Sequence, residues 1–292
     1  MSSGAKGKKG NGEREPVTLT LPAAPDRAAT PNIVIIFCDD LGYADVGCYG
    51  AKGWTTPHLD RMAAEGMKFT SYYATPVCSM SRACLMTGSY NARVSIPGVL
   101  FPKDTIGLNS NEITLAEIVK QKGYATACIG KWHLGWEWPG GKAGPHDFTA
   151  PIAEGPTTRG FDYYFGTDVP NWPPYCFIEN DRTVGVPSAP APLQKGTFNR
   201  PGPMLPGWNL TNIMPELTAR AVRYLEDAAA SVMPLVSSTV MTGSSAPPSL
   251  GEEGWRDGPW AGAAQVRRMD GIEETVHFPL PKGLGDRSMA AL

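Results

Sequence analysis

The chain has 292 residues, with 26 Lys and Arg against 28 Asp and Glu and a formal net charge of −2. That length can bury a substantial core, and the near-neutral balance argues against a dedicated nucleic-acid binder, which is ordinarily strongly basic. Hydrophobic residues at 42% exclude wholesale disorder, and no apolar run reaches the roughly 18 residues that a membrane-spanning helix needs.

Residues 1–30 read as a disordered basic arm. Met1 to Pro16 carries charge but lacks an apolar stretch of about 7–15 residues, so no secretory signal is visible and the compartment stays unassigned. Folded sequence is expected from Pro31. Ile33-Val34-Ile35-Ile36-Phe37 is a continuous apolar run, the pattern of a strand buried on both faces. Thr56 and Pro57 then read as an N-cap and first helical residue, with Leu59, Met62 and Ala63 on one stripe and Gly66 at the end. Met67 to Ala74 is aromatic and β-branched and predicts a second strand. Asn111 to Lys122 predicts a helix with Leu115, Ile118 and Val119 facing inward, and Tyr124 to Ile129 predicts the next strand. Pro215 to Ala228 predicts a further helix through Leu217, Ala221, Tyr224 and Leu225. Alternating strands and helices imply an α/β fold with a mixed, mainly parallel sheet flanked by helices. Residues 229–292 show neither period and are left without an assigned fold, although they contain Trp255 and Trp260.

Cys38, Cys48, Cys78, Cys84, Cys128 and Cys176 lie far apart without zinc-type pairing, so mostly free, buried thiols are expected. Three segments carry chemistry. Asp39-Asp40 follow the first strand directly, where the chain leaves the sheet, and two carboxylates there make half of a hard-cation site. Alone, such a pair reads more readily as a loop cap. Cys78-Ser79-Met80-Ser81-Arg82 opens a helix ending near Gly88, which places Cys78 at a helix N-terminus with Arg82 one turn on. That combination suits a tetrahedral oxyanion, although most isolated cysteines are small buried hydrophobes. Gly130-Lys131-Trp132-His133-Leu134-Gly135 places Lys131 and His133 on one face of an extended chain and Trp132 on the other.

These segments, read as PNIVIIFCDDLGYADVG, CSMSRACLMTG and GYATACIGKWHLG, closely resemble the type I sulfatases of the alkaline phosphatase superfamily, from about Pro31 to about Ala228. Arg159-Gly-Phe-Asp-Tyr-Tyr-Phe-Gly166 belongs to the same resemblance. It implies an alkaline-phosphatase-like fold and hydrolysis of a small-molecule or carbohydrate sulfate ester. It also implies conversion of Cys78 to formylglycine by a formylglycine-generating enzyme. On the same footing, Cys78 becomes the nucleophile and a metal ligand, Arg82 and Lys131 stabilise it and the sulfate, His133 assists the aldehyde hydrate, and Asp39 and Asp40 bind Ca²⁺.

Three departures accompany the resemblance. Met80 stands where the family motif has proline, so the segment read by the modifying enzyme is altered and conversion of Cys78 becomes a question for experiment. No Asp-Asn-Gly segment follows Ala228, and His277 and Lys282 lack the expected surroundings. A truncation or shifted reading frame after about Ala228 would account for both the change in composition and the missing smaller domain. Ca²⁺ takes about six to eight oxygens, so Asp39, Asp40 and the modified Cys78 would supply a partial shell, and weak calcium affinity with low turnover is expected. The alternatives are a phosphoesterase on the same scaffold and a non-enzymatic fragment retaining anion binding. Pro170 to Tyr175 reads either as a wall of the substrate pocket or as a Pro-rich surface loop.

Overall fold

A computed structural model of the chain describes residues 32–52, 55–102, 104, 106–141, 145–191, 200–229, 235–242, 262–267 and 273–278. The basic arm, Trp255, Trp260 and Lys282 lie outside the described residues, as does the side chain of His277.

In chain order the regular elements begin with β1 (Ile33–Asp39), α1 (Pro57–Glu65), α2 (Cys78–Thr87), α3 (Leu115–Lys120), β2 (Ala125–Lys131) and β3 (Tyr163–Thr167). Two short pairs follow, β4 (Ile178–Glu179) with β5 (Arg182–Thr183) and β6 (Ala189–Pro190) with β7 (Pro203–Met204). The series ends with α4 (Ile213–Ala229), β8 (Leu235–Thr242), β9 (Gly262–Arg267) and β10 (Glu273–Phe278). The main sheet has the order β1-β8-β2-β3-β4-β5, with β1, β8, β2 and β3 parallel and β4 and β5 antiparallel. The expected mixed, mainly parallel sheet is present.

Alternation along β2 builds two cores. Cys128 packs with Ala83 and Met86 of α2 and with Trp132 and Tyr164, whereas Ile129 packs on the other face with Ile213, Leu217 and Ala221 of α4. Helices therefore cover both faces, as a parallel sheet requires. The pairing of β2 with β3 needs glycine at Gly166: a Cβ there would lie 1.7 Å from the Gly130 carbonyl oxygen. The Tyr164 hydroxyl bonds that same carbonyl at 2.9 Å, tying the strand ends together.

Several expectations are corrected. Residues 229–292 show no element by sequence period, yet Leu235–Thr242 forms a strand between β1 and β2, and β9 with β10 forms a separate antiparallel pair. Short-range periodicity could not reveal β8, because its place is set by partners about 200 and 110 residues earlier in the chain. Met67 to Ala74 forms no strand. Its main chain is met by tyrosine hydroxyls instead: Tyr43 bonds both the N–H and C=O of Tyr72, and Tyr49 bonds the C=O of Phe69. β1 is not buried on both faces: among the described residues β8 is its strand partner, and Val34 is 47% exposed.

The helices differ in detail. The α1 stripe is only partly covered, with Met62 exposed. Thr56 precedes α1 but does not cap it; its hydroxyl bonds Asp60 and accepts from the Gly47 N–H. α3 starts later than expected because Thr114 and Glu117 form a reciprocal cap. α4 agrees with its expected span to within two residues at each end. All six cysteines are free, but only Cys128 and Cys176 are fully buried.

Candidate active site

Asp39 closes β1, and Asp40 takes a left-handed conformation at φ 61°, which turns the chain out of the sheet as the sequence required. Lys131 closes β2, and its Nζ lies 2.7 Å from Asp39 Oδ2 with side-chain exposures of 5% and 18%. Burial opposes charge on both groups, yet the mutual attraction prevails: Asp39 is held below the usual carboxylate range and Lys131 above the usual ammonium range. Asp40 moves the other way, raised by burial and by the adjacent Asp39 charge.

Cys78 is the first residue of α2, where main-chain N–H groups lack helical acceptors. Its Sγ lies 3.2 Å from Nδ1 of His133, whose Nε2 lies 2.7 Å from the Leu100 carbonyl oxygen. A carbonyl can only accept, so Nε2 carries the imidazole proton and Nδ1 is left to accept from residue 78. Burial and the nearby Lys131 push the His133 pKa down to about 3, which keeps the ring neutral. The ring is held by its own strained backbone, with φ 54° and an N–H donating to Asp168 Oδ1 at 3.2 Å. Leu100 is fastened in turn by its N–H to Ser79 Oγ at 3.1 Å, which links the acceptor of His133 to α2.

Arg82 is 1% exposed and spends its donors differently from the sequence expectation. Its Nε and Nη2 donate to the main-chain carbonyls of Trp132 and Lys131. The guanidinium thus ties α2 to the end of β2 and fixes the backbone that carries Lys131 and His133. Trp132 turns to the opposite side and packs in the core with Phe161, as the alternation predicted.

The structure therefore gathers Asp39, Lys131, His133 and Cys78 at the carboxyl end of the sheet, with Arg82 beneath them. Asp168 and Leu100 are not among the residues the sequence singles out, whereas Trp172 lies in the segment it offers as a pocket wall. Asp168 directly follows β3, so the rule that ligands bind beyond strand carboxyl ends could have singled it out. The Leu100 carbonyl carries no signal in its side chain. Trp172, in the Pro-rich segment, meets the His133 ring edge-on at 5.3 Å between centroids.

Two carboxylates at a strand end, one raised by burial and by its neighbour's charge, have the donor chemistry of a hard-cation site. Lys131 already provides a positive charge against Asp39. Among the described residues no three His, Cys, Asp or Glu groups come together as a metal-ligand cluster.

The Sulfatase family model matches residues 31–225. The chain belongs to the sulfatase family. It is 48% identical over 130 residues to human arylsulfatase A, covering 44% of this chain and 26% of that protein. It is 36% identical over 237 residues to arylsulfatase G of Mus musculus, covering 72% of this chain and 40% of that protein. A solved structure from work on metabolism of multiple glycosaminoglycans by Bacteroides thetaiotaomicron superposes with a TM-score of 0.59 at 28% identity, covering 72% of this chain and 51% of that one. The chain thus spans between a quarter and about half of the length of these relatives. Its alkaline-phosphatase-like α/β fold follows from the same likeness.

Proposed function

We propose that this chain hydrolyses sulfate esters, with residue 78 as the nucleophile. The observation that carries the reading is the contact between Cys78 Sγ and the proton-free Nδ1 of a neutral His133, at a helix N-terminus. Formylglycine made from Cys78 would supply a hydrated aldehyde, one hydroxyl attacking sulfur and the other later expelling sulfate. His133 Nδ1 is placed to take a proton from the group at position 78, and the Leu100 carbonyl keeps the ring in the tautomer that can do so. The Lys131 ammonium supplies fixed positive charge from a buried position, where it acts more strongly on sulfate oxygens than it would in bulk solvent. Arg82 positions both residues through their main chain.

Calcium would be held by Asp39 and Asp40 and would polarise a sulfate oxygen as a Lewis acid. A cation there would also offset the burial and the Asp39 charge that together raise Asp40.

The motifs around Cys78 and Lys131 favour sulfate over phosphate as the substrate. Purified protein assayed with 4-nitrocatechol sulfate and 4-nitrophenyl phosphate, each with calcium and with chelator, tests this. Slow turnover of the sulfate ester, raised by calcium and absent in Cys78→Ala, is the expected result. Preferential turnover of the phosphate ester, or sulfate turnover indifferent to Cys78→Ala, would overturn it.

A further inference from the structure

Beside His133, three residues from distant parts of the chain assemble. Phe101 and Trp172 stack with centroids 5.3 Å apart and planes 14° from parallel. The guanidinium carbon of Arg200 lies 4.4 Å from the Trp172 ring centre and 5.4 Å from that of Phe101. Trp172 touches the His133 ring edge-on, and Phe101 and His133 line one small cavity of about 40 Å³. The imidazole therefore contacts both residue 78 and this aromatic, cationic group.

We infer that Phe101, Trp172 and Arg200 form a subsite for a sulfate ester whose leaving group is a ring bearing a second negative charge. This rests on the sulfatase reading above and names its substrate class. The exposed ring of Phe101, backed by the buried Trp172, suits a flat or pyranose ring, through dispersion and exclusion of water. Arg200 supplies the charge preference. It is exposed, and among the described residues its guanidinium meets ring faces rather than a carboxylate. Nearby Asp104 accepts from the Phe101 N–H at 2.6 Å, an ordinary turn contact. An arginine held over aromatic faces keeps its full charge and its fork of N–H donors for an anion.

The platform is also built rather than incidental. The Tyr175 hydroxyl accepts from the Arg200 N–H at 2.8 Å and lies 2.7 and 3.0 Å from the carbonyls of Arg200 and Asn171, one of which takes its proton. These bonds fix the Arg200 backbone to the loop that carries Trp172. A preorganised arginine loses little freedom when an anion binds.

Two matched pairs test the subsite, one for sugar and one for aryl leaving groups: N-acetylgalactosamine 6-sulfate against its 4,6-disulfate, and methyl 4-sulfooxybenzoate against 4-sulfooxybenzoate. Arg200→Gln should lower kcat/KM for the doubly charged member of at least one pair by about tenfold, chiefly through KM, and for the singly charged member by less than about twofold. Arg200→Lys should recover part of the loss, and Phe101→Ala should raise KM for both members. Equal losses on both members with Arg200→Gln would overturn the inference. If none of the four esters turns over, the sulfatase reading fails, and calorimetry of the same compounds still decides the subsite. Tighter binding of the doubly charged member, lost in Arg200→Gln, supports it; binding indifferent to Arg200, or none, overturns it.

Discussion

Lys131 Nζ and Asp39 Oδ2, 92 residues apart in sequence, meet at 2.7 Å where two strands of one sheet end. Neither strand pairs with the other; β8 runs between them. The ion pair thus spans an intervening strand and joins the carboxylate half of the site to the half that holds the nucleophile.

Conversion of Cys78 is the first expectation to check. A peptide containing Cys78, from protein made in a host that processes sulfatases, should show the aldehyde by mass spectrometry. Cys78→Ser should then remove activity, while Cys84→Ser, half-buried in the same helix, should leave most of it. Only free thiol at position 78 would mean that Met80 blocks the modifying enzyme. Equal losses from both substitutions would make Cys78 a packing residue.

Arg82 bonds two main-chain carbonyls from full burial, so Arg82→Lys should be costly despite keeping the charge. A lysine ammonium cannot reproduce the planar fork, and a carbonyl left unpaired in the interior costs about 1–3 kcal/mol. The urea midpoint should fall accordingly, and activity with it, because Lys131 and His133 lose their support. An unchanged midpoint would show that Arg82 does not hold the end of β2.

Asp162 gives a pH dependence with a definite sign. Burial raises its carboxyl, but the Lys120 ammonium at 2.5 Å and the Thr126 N–H and hydroxyl outweigh it, so the folded-state value lies below the ordinary one. Its contribution is present above the unfolded value near about 3.9 and disappears as pH falls through the folded value. Because the Asp162 side chain is 42% exposed, the effect should be under about 1 kcal/mol. Urea midpoints of the wild-type protein and Asp162→Asn should differ at pH 6 and converge below about pH 4. A difference that persists undiminished to about pH 2 would rule this account out.

The place of β8 is tested by proline. Val240 pairs with Phe37 on one side and Gly130 on the other, so Val240→Pro removes a donor from a central strand and should cost about 3 kcal/mol or more. Val276→Pro, in the separate β9–β10 pair, should cost clearly less. Similar small losses from both would mean that 235–242 is not integral to the sheet.

What the sequence determined by itself was local. The β1 and β2 runs, the α2 start at Cys78, the α4 stripe and the departure of the chain at Asp40 all follow from spacing and from residue types within a few positions. So does the placing of Lys131, His133 and Cys78 at strand and helix ends. The tertiary structure alone decided where those ends met and what held them. Arg82 went to the carbonyls of Lys131 and Trp132, His133 took its tautomer from the Leu100 carbonyl, and Asp168 received the His133 N–H. Met67 to Ala74 has strand-forming residues but, among the described residues, no strand partner, whereas Leu235–Thr242 has no readable period and sits inside the sheet. The physical reason is common to all of these. Helical and strand periods are written into neighbouring residues, but a ladder, a buried guanidinium or an imidazole tautomer is fixed by acceptors that only long-range packing brings within hydrogen-bond reach.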